Sequence, residues 1–187
     1  YTAMRSEAEL EWTSRRLKNF ATWQEAYIDF IRKIHNTVWE NDIGFLYSLL
    51  YVDADDVPEL CIDTRAAASG ELIVSFYDGK VGCMNRERGG TRYIERGGLL
   101  YNDYGAMGFY PCNIYMLEKG EFSEIGTGWY SDHADEQGNV YYEYFWEGKL
   151  VTEAEFEACI DALIDRTKCV EPSLKYLEEE ILEILME

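Results

Sequence analysis

Hydrophobic residues recur with helical spacing near both ends of the chain and with strand-like spacing between them. After residue 22 an apolar side chain returns every three or four positions, which predicts an amphipathic helix from about residue 23 to about residue 40. Its apolar positions are Trp23, Tyr27, Phe30, Ile31, Ile34 and Val38. The sequence TWQE at its start predicts a capping box, in which Thr22 caps the helix and Glu25 reaches back.

The first residues have a weaker pattern. Residues 5–19 are charged and helix-prone, with Leu10 and Leu17 one heptad apart and Trp12 off that line. The apolar face is thin, so we expect a loosely packed N-terminal helix within residues 1–21. We expect the whole chain, residues 1–187, to form a single domain. Because it begins at Tyr1 and not Met, we also expect that upstream residues of the natural protein are missing here.

From residue 43 to residue 151 the pattern changes to short apolar runs bounded by turn residues. The runs IGFLYSLLYVD and PELCID predict strands, and ELIVSFYDGKVGCM predicts a hairpin around Asp78-Gly79. Further turns are predicted at Gly97-Gly98 and Lys119-Gly120, and NVYYEYFWEGKLV predicts one more aromatic strand. Turns about every ten residues, with no crossover helices between them, favour an antiparallel meander over a parallel sheet.

Helical spacing returns after residue 151. A second capping box is predicted from Thr152 to Glu155, ahead of an apolar stripe over residues 156–164. Pro172-Ser173 predicts the start of a last helix, LKYLEEEILEILME. The predicted fold class is therefore α+β: an antiparallel β-meander sheet with N-terminal and C-terminal helices packed on one side.

The charge of the chain is strongly negative. Acidic residues number 36 against 17 basic ones, which gives a net charge of -19. This argues against nucleic acid and anionic membranes as partners, since both attract Lys and Arg. It is compatible with a bound cation, a basic partner or simple solubility. No apolar stretch has the roughly 20 residues that a transmembrane segment needs.

The residue types that carry much enzyme chemistry are sparse. There are two histidines and five cysteines without a CxxC pair, which disfavours zinc ribbons and thioredoxin-like chemistry. No G-x-S-x-G motif occurs. An enzyme is therefore the less favoured class of function.

The stretch YVDADDVPELCID is the main candidate for a metal site. Asp53, Asp55 and Glu59 have roughly the spacing with which a loop surrounds a hard cation such as Ca²⁺, although the glycine and the length of an EF-hand loop are missing. Two alternatives stay open. The acidic residues could simply form a solvated turn that Asp side chains initiate, or two carboxylates could act as an acid/base pair, as in glycosidases.

Aromatic residues provide the candidate ligand-binding surface. In YYEYFWEG, strand alternation places Tyr142, Tyr144 and Trp146 on one face, and Tyr141, Glu143 and Phe145 on the other. One face must meet the core, so the other could display rings to a protein, peptide or glycan. We take Tyr142, Tyr144 and Trp146 as the candidate ligand-binding residues. The alternative is that both faces are covered.

A dense group of arginines lies in NRERGGTRYIERGG, which has no G-K-[ST] and is therefore not a P-loop. These arginines are expected to pair with the protein's own acids or to meet an acidic ligand. They are Arg86, Arg88, Arg92 and Arg96.

Over roughly residues 45–165 the chain resembles a loose group of uncharacterised extracytoplasmic proteins and lipoproteins of Gram-positive bacteria. The resemblance lies in LYSLLYVDADDVPELCID, SFYDGKV and YFWEGKLVTEAEFEACIDAL. It implies an extracytoplasmic location, at the cell surface or secreted. The first element is also similar to the calcium-binding loops of integrin-like repeats, which implies Asp53, Asp55 and Glu59 as ligands.

Three functional hypotheses follow. The first is a non-catalytic extracytoplasmic binding or interaction module, with a structural Ca²⁺ at the acidic turn, residues 53–59. The second is a carboxylate-dependent hydrolase that uses Asp53 or Glu59 with a distant acid. The third is an acidic inhibitor or immunity-type protein that binds a basic partner.

Overall fold

The computed structural model describes residues 19–34, 44–66, 70–86, 88–173 and 175–187. Within these residues there are three helices, ten strands and one short 3-10 turn at Arg166–Lys168. The helices are α1 (Trp23–Ile34), α2 (Glu153–Leu163) and α3 (Glu178–Met186). The strands are β1 (Leu46–Leu50), β2 (Glu59–Asp63), β3 (Glu71–Tyr77), β4 (Lys80–Arg86), β5 (Thr91–Ile94), β6 (Leu99–Asp103), β7 (Phe109–Glu118), β8 (Glu121–Ala134), β9 (Val140–Trp146) and β10 (Lys149–Val151).

The strands form two antiparallel sheets in which neighbours in sequence are neighbours in space. The first sheet has the order β1-β2-β3-β4, and the second has the order β10-β9-β8-β7-β6-β5. Two-residue turns join β3 to β4, β7 to β8 and β9 to β10; at the first of these, Asp78-Gly79, both residues have positive φ angles, of 47° and 77°. This is the geometry that a two-residue hairpin turn requires. The predicted α+β class and antiparallel meander are confirmed.

The two sheets pack face to face, and helices cover both outer faces. Between the sheets, Cys61 and Ile73 meet Leu100 and Leu117. Helices α1 and α3 lie on the outer face of the first sheet, and α2 lies on the outer face of the second. The prediction placed all helices on one side of one sheet. Alternation shows that a strand has two apolar faces, but it does not show which layer each face meets.

Helix caps follow the sequence signals closely. Thr152 and Glu155 form the complete capping box of α2, with each side chain bonded to the other residue's backbone N–H. At α1, Thr22 accepts the Glu25 N–H at 3.2 Å, while the Glu25 carboxylate accepts the Ala21 N–H. The predicted N-terminal helix falls mainly on residues 1–18 and the predicted end of α1 on residues 35–40, all outside the described residues.

Two segments near the C-terminal half differ from the prediction. Helix α3 begins only at Glu178, because the backbone of Tyr176 pairs with that of Tyr47 and so extends the first sheet by one bridge. The predicted single strand NVYYEYFWEGKLV is a hairpin of β9 and β10. Its turn is Glu147-Gly148, with φ angles of 48° and 73°. In the part of the chain that the structure describes, no helix has the length and apolar character needed to cross a membrane.

Candidate functional site

The acidic turn connects β1 to β2 and is held by its own side chains. The Asp55 N–H donates to Asp53 Oδ1 at 3.1 Å, and the Val57 N–H donates to Asp55 Oδ1 at 2.7 Å. Both are bonds from a side chain to the backbone two residues on, the arrangement by which Asp initiates turns. One carboxylate oxygen of Asp53 and one of Asp55, both candidate metal ligands, therefore already accept backbone hydrogen bonds.

Glu59, the first residue of β2, is the buried member of the turn, with only 2% of its surface exposed. Its Oε2 accepts the Val52 N–H at 2.9 Å. Burial, with the charges of Asp53 and Asp55 adding to it, raises the Glu59 pKa to about 8. A carboxyl group in this position favours its neutral form, because burial removes its hydration and the neighbouring carboxylates repel a further negative charge.

Tyr27 connects helix α1 to this turn. Its hydroxyl donates to the Pro58 carbonyl oxygen at 2.7 Å, and its side chain is fully buried. Burial raises the Tyr27 pKa, and the nearby charges of Glu59, Asp55 and Asp53 raise it further. The structure therefore brings the three predicted metal ligands into one neighbourhood beside the Tyr27 hydroxyl.

Metal binding by these three carboxylates stays a prediction. Among the described residues, no group of three or more His, Cys, Asp or Glu side chains is arranged to hold a metal ion. A positive side chain already lies at the turn: Arg96 donates to the Asp55 carbonyl oxygen at 3.0 Å and lies 3.4 Å from Asp56 Oδ1.

A cavity of about 480 Å³ lies beside α1. It is lined by Asn19, Phe20, Glu25, Ile28, Asp29 and Arg32. None of the acidic-turn carboxylates lines it. The pair of opposed acids that the hydrolase hypothesis requires is therefore not assembled at this cavity.

Three of the four arginines singled out in the sequence stack on tyrosine rings. Their guanidinium carbons lie 4.2–4.7 Å from the ring centroids. The pairs are Arg86 with Tyr115, Arg92 with Tyr101, and Arg96 with Tyr51. Arg92 also pairs with Asp103 at 2.5 Å. Arg96 lies 3.4 Å from Asp56, so Arg92 and Arg96 pair with the protein's own acids as expected, whereas Arg86 bonds the Asn102 side chain.

The predicted ligand-binding residues lie on the outer face of the second sheet, and α2 covers two of them. The rings of Tyr144 and Trp146 lie 5.4 Å and 5.8 Å from the ring of Phe156 on α2. Gly128 on β8 makes room for this packing, because an added Cβ there would lie 2.6 Å from the Trp146 ring. Tyr142, beyond the end of the helix, is 50% exposed. The ligand role of the three residues stays a prediction.

The opposite face of the same strands carries an aromatic array that α2 does not cover. We call it the open aromatic face and define it by Phe109, Trp129, Tyr141, Phe145 and Leu150. Trp129 stacks on Phe145 with ring centroids 3.9 Å apart, and Phe109 lies 5.4 Å from Trp129. Phe109, Tyr141 and Leu150 are 42%, 48% and 66% exposed.

The register of the strands explains this array. Trp129 pairs with Phe145, and Phe145 pairs with Leu150, so their side chains form one row across β8, β9 and β10. Further along β7 the same sheet face, at Tyr115 and Leu117, packs against the first sheet. The open aromatic face is therefore the part of this sheet surface that lies outside the core between the sheets.

The surroundings of the open aromatic face are acidic. Glu143 shares the face and lies 3.4 Å from His133 Nε2, with both side chains about two-fifths exposed. The turn between β8 and β9 adds exposed Asp135 and Glu136. Sequence reasoning identified Tyr141 and Phe145 as one face but did not select it. The signal that could have done so is the aromatic pair in GTGWYSD, whose Trp129 lies opposite Phe145.

Comparisons with known proteins give no further guide to this site. No protein-family model matches the chain, and neither a curated protein nor a solved structure is significantly similar to it.

Proposed function

We propose that the protein is a non-catalytic binding module that holds a cationic polypeptide on the open aromatic face. The observation that carries this proposal is the row of half-buried Trp129 and Phe145 with exposed Leu150, beside which Phe109 and Tyr141 are also exposed. Contiguous exposed apolar surface on a soluble domain marks an interaction site. Tryptophan and tyrosine are also the residues that most often dominate binding energy at protein interfaces.

Charge favours a cationic partner. The chain carries a net charge of -19, and Glu143 places a carboxylate among the rings of the open aromatic face. Guanidinium groups bind aromatic faces and carboxylates together, so Arg side chains of a partner suit both features. Long-range attraction between opposite charges would also speed association. An acidic inhibitor or immunity-type protein is one form of this function, in which the partner is a basic protein.

A non-catalytic role is supported by the way in which the candidate catalytic carboxylates are used. Asp53 and Asp55 bond the backbone of their own turn, and Glu59 is buried against Val52 N–H. We assign the turn a structural role, with Ca²⁺ as the proposed cation. The extracytoplasmic location is also part of the proposal, and its support is the resemblance of residues 45–165.

The proposal is tested with an octapeptide of alternating Arg and Val, blocked at both ends, titrated into the protein while tryptophan fluorescence is followed. We expect saturable binding that weakens as NaCl rises from about 50 to about 500 mM, because screening reduces charge attraction. The double variant Phe109→Ser/Leu150→Ser should weaken binding about tenfold or more. Leu177→Ser changes an exposed apolar residue at the start of α3 and is the matched control. It should bind the octapeptide as tightly as the wild type does.

Two results would contradict the proposal. One is equal affinity for the octapeptide of alternating Glu and Val, which would remove the role of charge. The other is saturable binding of chitohexaose or maltohexaose with no binding of either peptide, which would assign the face to glycans.

A further inference from the structure

We infer that the partner binds as an extended strand added to the free edge of β9, with Val140 and Tyr142 supplying the backbone hydrogen-bonding groups. This inference rests on the proposed function and specifies how the cationic polypeptide is held. Strand addition gives affinity through main-chain hydrogen bonds and specificity through alternate side chains.

The edge arises because β9 and β10 differ in length. β9 has seven residues, Val140–Trp146, but β10 has three and pairs only with residues 144–146 of β9. Thr152 then caps α2, and the chain leaves the sheet. On the side of β9 away from β8, no strand among the described residues pairs with residues 140–143.

The direction of the backbone groups follows from strand alternation. The Glu147 N–H donates to the Thr127 carbonyl oxygen on the β8 side at 2.9 Å. Odd-numbered residues of β9 therefore point their N–H and C=O toward β8, and even-numbered residues point theirs toward β10. Tyr144 and Trp146 pair with β10, whereas Val140 and Tyr142 lie beyond its end. Up to four backbone groups are thus directed at the open edge.

Residues 140–143 contain neither Pro nor Lys, two of the usual protections against strand pairing at a free edge. Natural sheets protect exposed edges with Pro, Lys, bulges or very short strands. Here Val140, Tyr141 and Tyr142 are residues that favour strands, and they are 61%, 48% and 50% exposed. Tyr141 belongs to the open aromatic face, so a strand added at this edge would extend the proposed binding surface without a break.

The acidic residues around this edge favour a cationic partner. Asp132 lies opposite Tyr142 in the register, Glu143 follows it in β9, and Glu153 begins α2 beside the end of β10. A second copy of the chain would bring the same carboxylates, and another net charge of -19, against these groups. Like charges brought together in this way are unfavourable, so the occupant is an extended cationic segment of another protein.

The test compares the alternating Arg-Val octapeptide with two versions that are N-methylated on alternate residues. One version is methylated on the Arg nitrogens and the other on the Val nitrogens. A peptide strand pairs through one edge only, so one version should lose binding about tenfold or more while the other binds nearly as the parent does. On the protein, Tyr142→Pro removes an outward N–H and should weaken binding similarly. Tyr142→Thr also loses the ring but keeps that N–H, so the difference in affinity between the two variants measures the contribution of the backbone group.

The outcomes separate this inference from the proposed function. If both methylated peptides bind as the parent does, or Tyr142→Pro binds like Tyr142→Thr, the edge is not used. The proposed function then still stands if Phe109→Ser/Leu150→Ser weakens binding. If no Arg-Val peptide binds, both proposals fail. If the wild type sediments as a dimer and Tyr142→Pro sediments as a monomer, the edge binds a second copy of the chain instead. Circular dichroism checks that Tyr142→Pro is folded; if it is not, the methylated peptides decide.

Discussion

The indole ring of Trp129 lies almost flat against the ring of Phe145, with centroids 3.9 Å apart and planes inclined by 14°. The two residues are directly opposite each other on β8 and β9. A stack of this kind fixes the rotamers of both side chains before any partner arrives. Less conformational entropy is then lost on binding, which suits an interaction surface.

Removing either ring should reveal this coupling. In a double-mutant cycle of Trp129→Ala and Phe145→Ala, we expect a coupling free energy of about 1 kcal/mol, the usual contribution of an aromatic pair beyond its buried area. Urea denaturation of the four proteins measures it. Losses of stability that simply add would show that the stack contributes nothing of its own.

Local signals in the sequence predicted the hairpins well. Asp78-Gly79 and Lys119-Gly120 both adopt the positive φ angles of tight hairpin turns, for which glycine is suited. The Thr152–Glu155 capping box was equally readable, because it depends on contacts within one helical turn. The Glu147-Gly148 turn carries the same signal and was missed, since the aromatic run around it resembled one strand.

Long-range packing was less predictable. Strand alternation grouped Tyr142 with Trp146, and Tyr141 with Phe145, but it could not show which face α2 would cover. That choice depends on Phe156 and on Gly128, whose missing side chain admits the Trp146 ring. The division into two sheets could not be predicted either. An apolar strand face has the same sequence pattern whether it packs against a helix or against a second sheet.

The buried carboxyl of Glu59 predicts how stability changes with pH. Its pKa in the folded protein, about 8, lies above that of a carboxyl in the unfolded chain. Its contribution to stability is therefore fully present below pH ~4.3 and is lost as pH rises through 8. Glu59→Gln keeps an oxygen for the Val52 N–H but cannot ionise. Relative to this variant, the wild type should lose on the order of 3 kcal/mol between pH 5 and pH 8.

Urea denaturation at a series of pH values measures this difference. Glu136→Gln, at an exposed position in the turn between β8 and β9, is the control and should keep the pH dependence of the wild type. If Glu59→Gln also keeps it, the Glu59 carboxyl titrates at the same pH in the folded and unfolded chain.

The calcium hypothesis makes a separate prediction for the acidic turn. If Asp53, Asp55 and Glu59 hold Ca²⁺, about 5 mM CaCl₂ should raise the melting temperature by several degrees, because a ligand stabilises the state that binds it. Asp53→Asn and Asp55→Asn keep the side-chain oxygen that bonds the backbone but remove its charge, so they should abolish the shift. Asp56→Asn, whose side chain is 99% exposed, should retain it. If CaCl₂ leaves the melting temperature of the wild type unchanged, the acidic turn does not bind Ca²⁺.

Gly128 provides a test of whether Trp146 is a packing residue. An added Cβ at this position would lie 2.6 Å from the Trp146 ring and 2.7 Å from the Phe156 ring, so both must shift. We expect Gly128→Ala to cost about 1–3 kcal/mol, the usual effect of overpacking. Trp146→Leu frees space beside Gly128, so the alanine should cost clearly less in that background. Urea denaturation of the four proteins measures the cycle, and an equal cost of Gly128→Ala in both backgrounds would show that Trp146 does not occupy the space above Gly128.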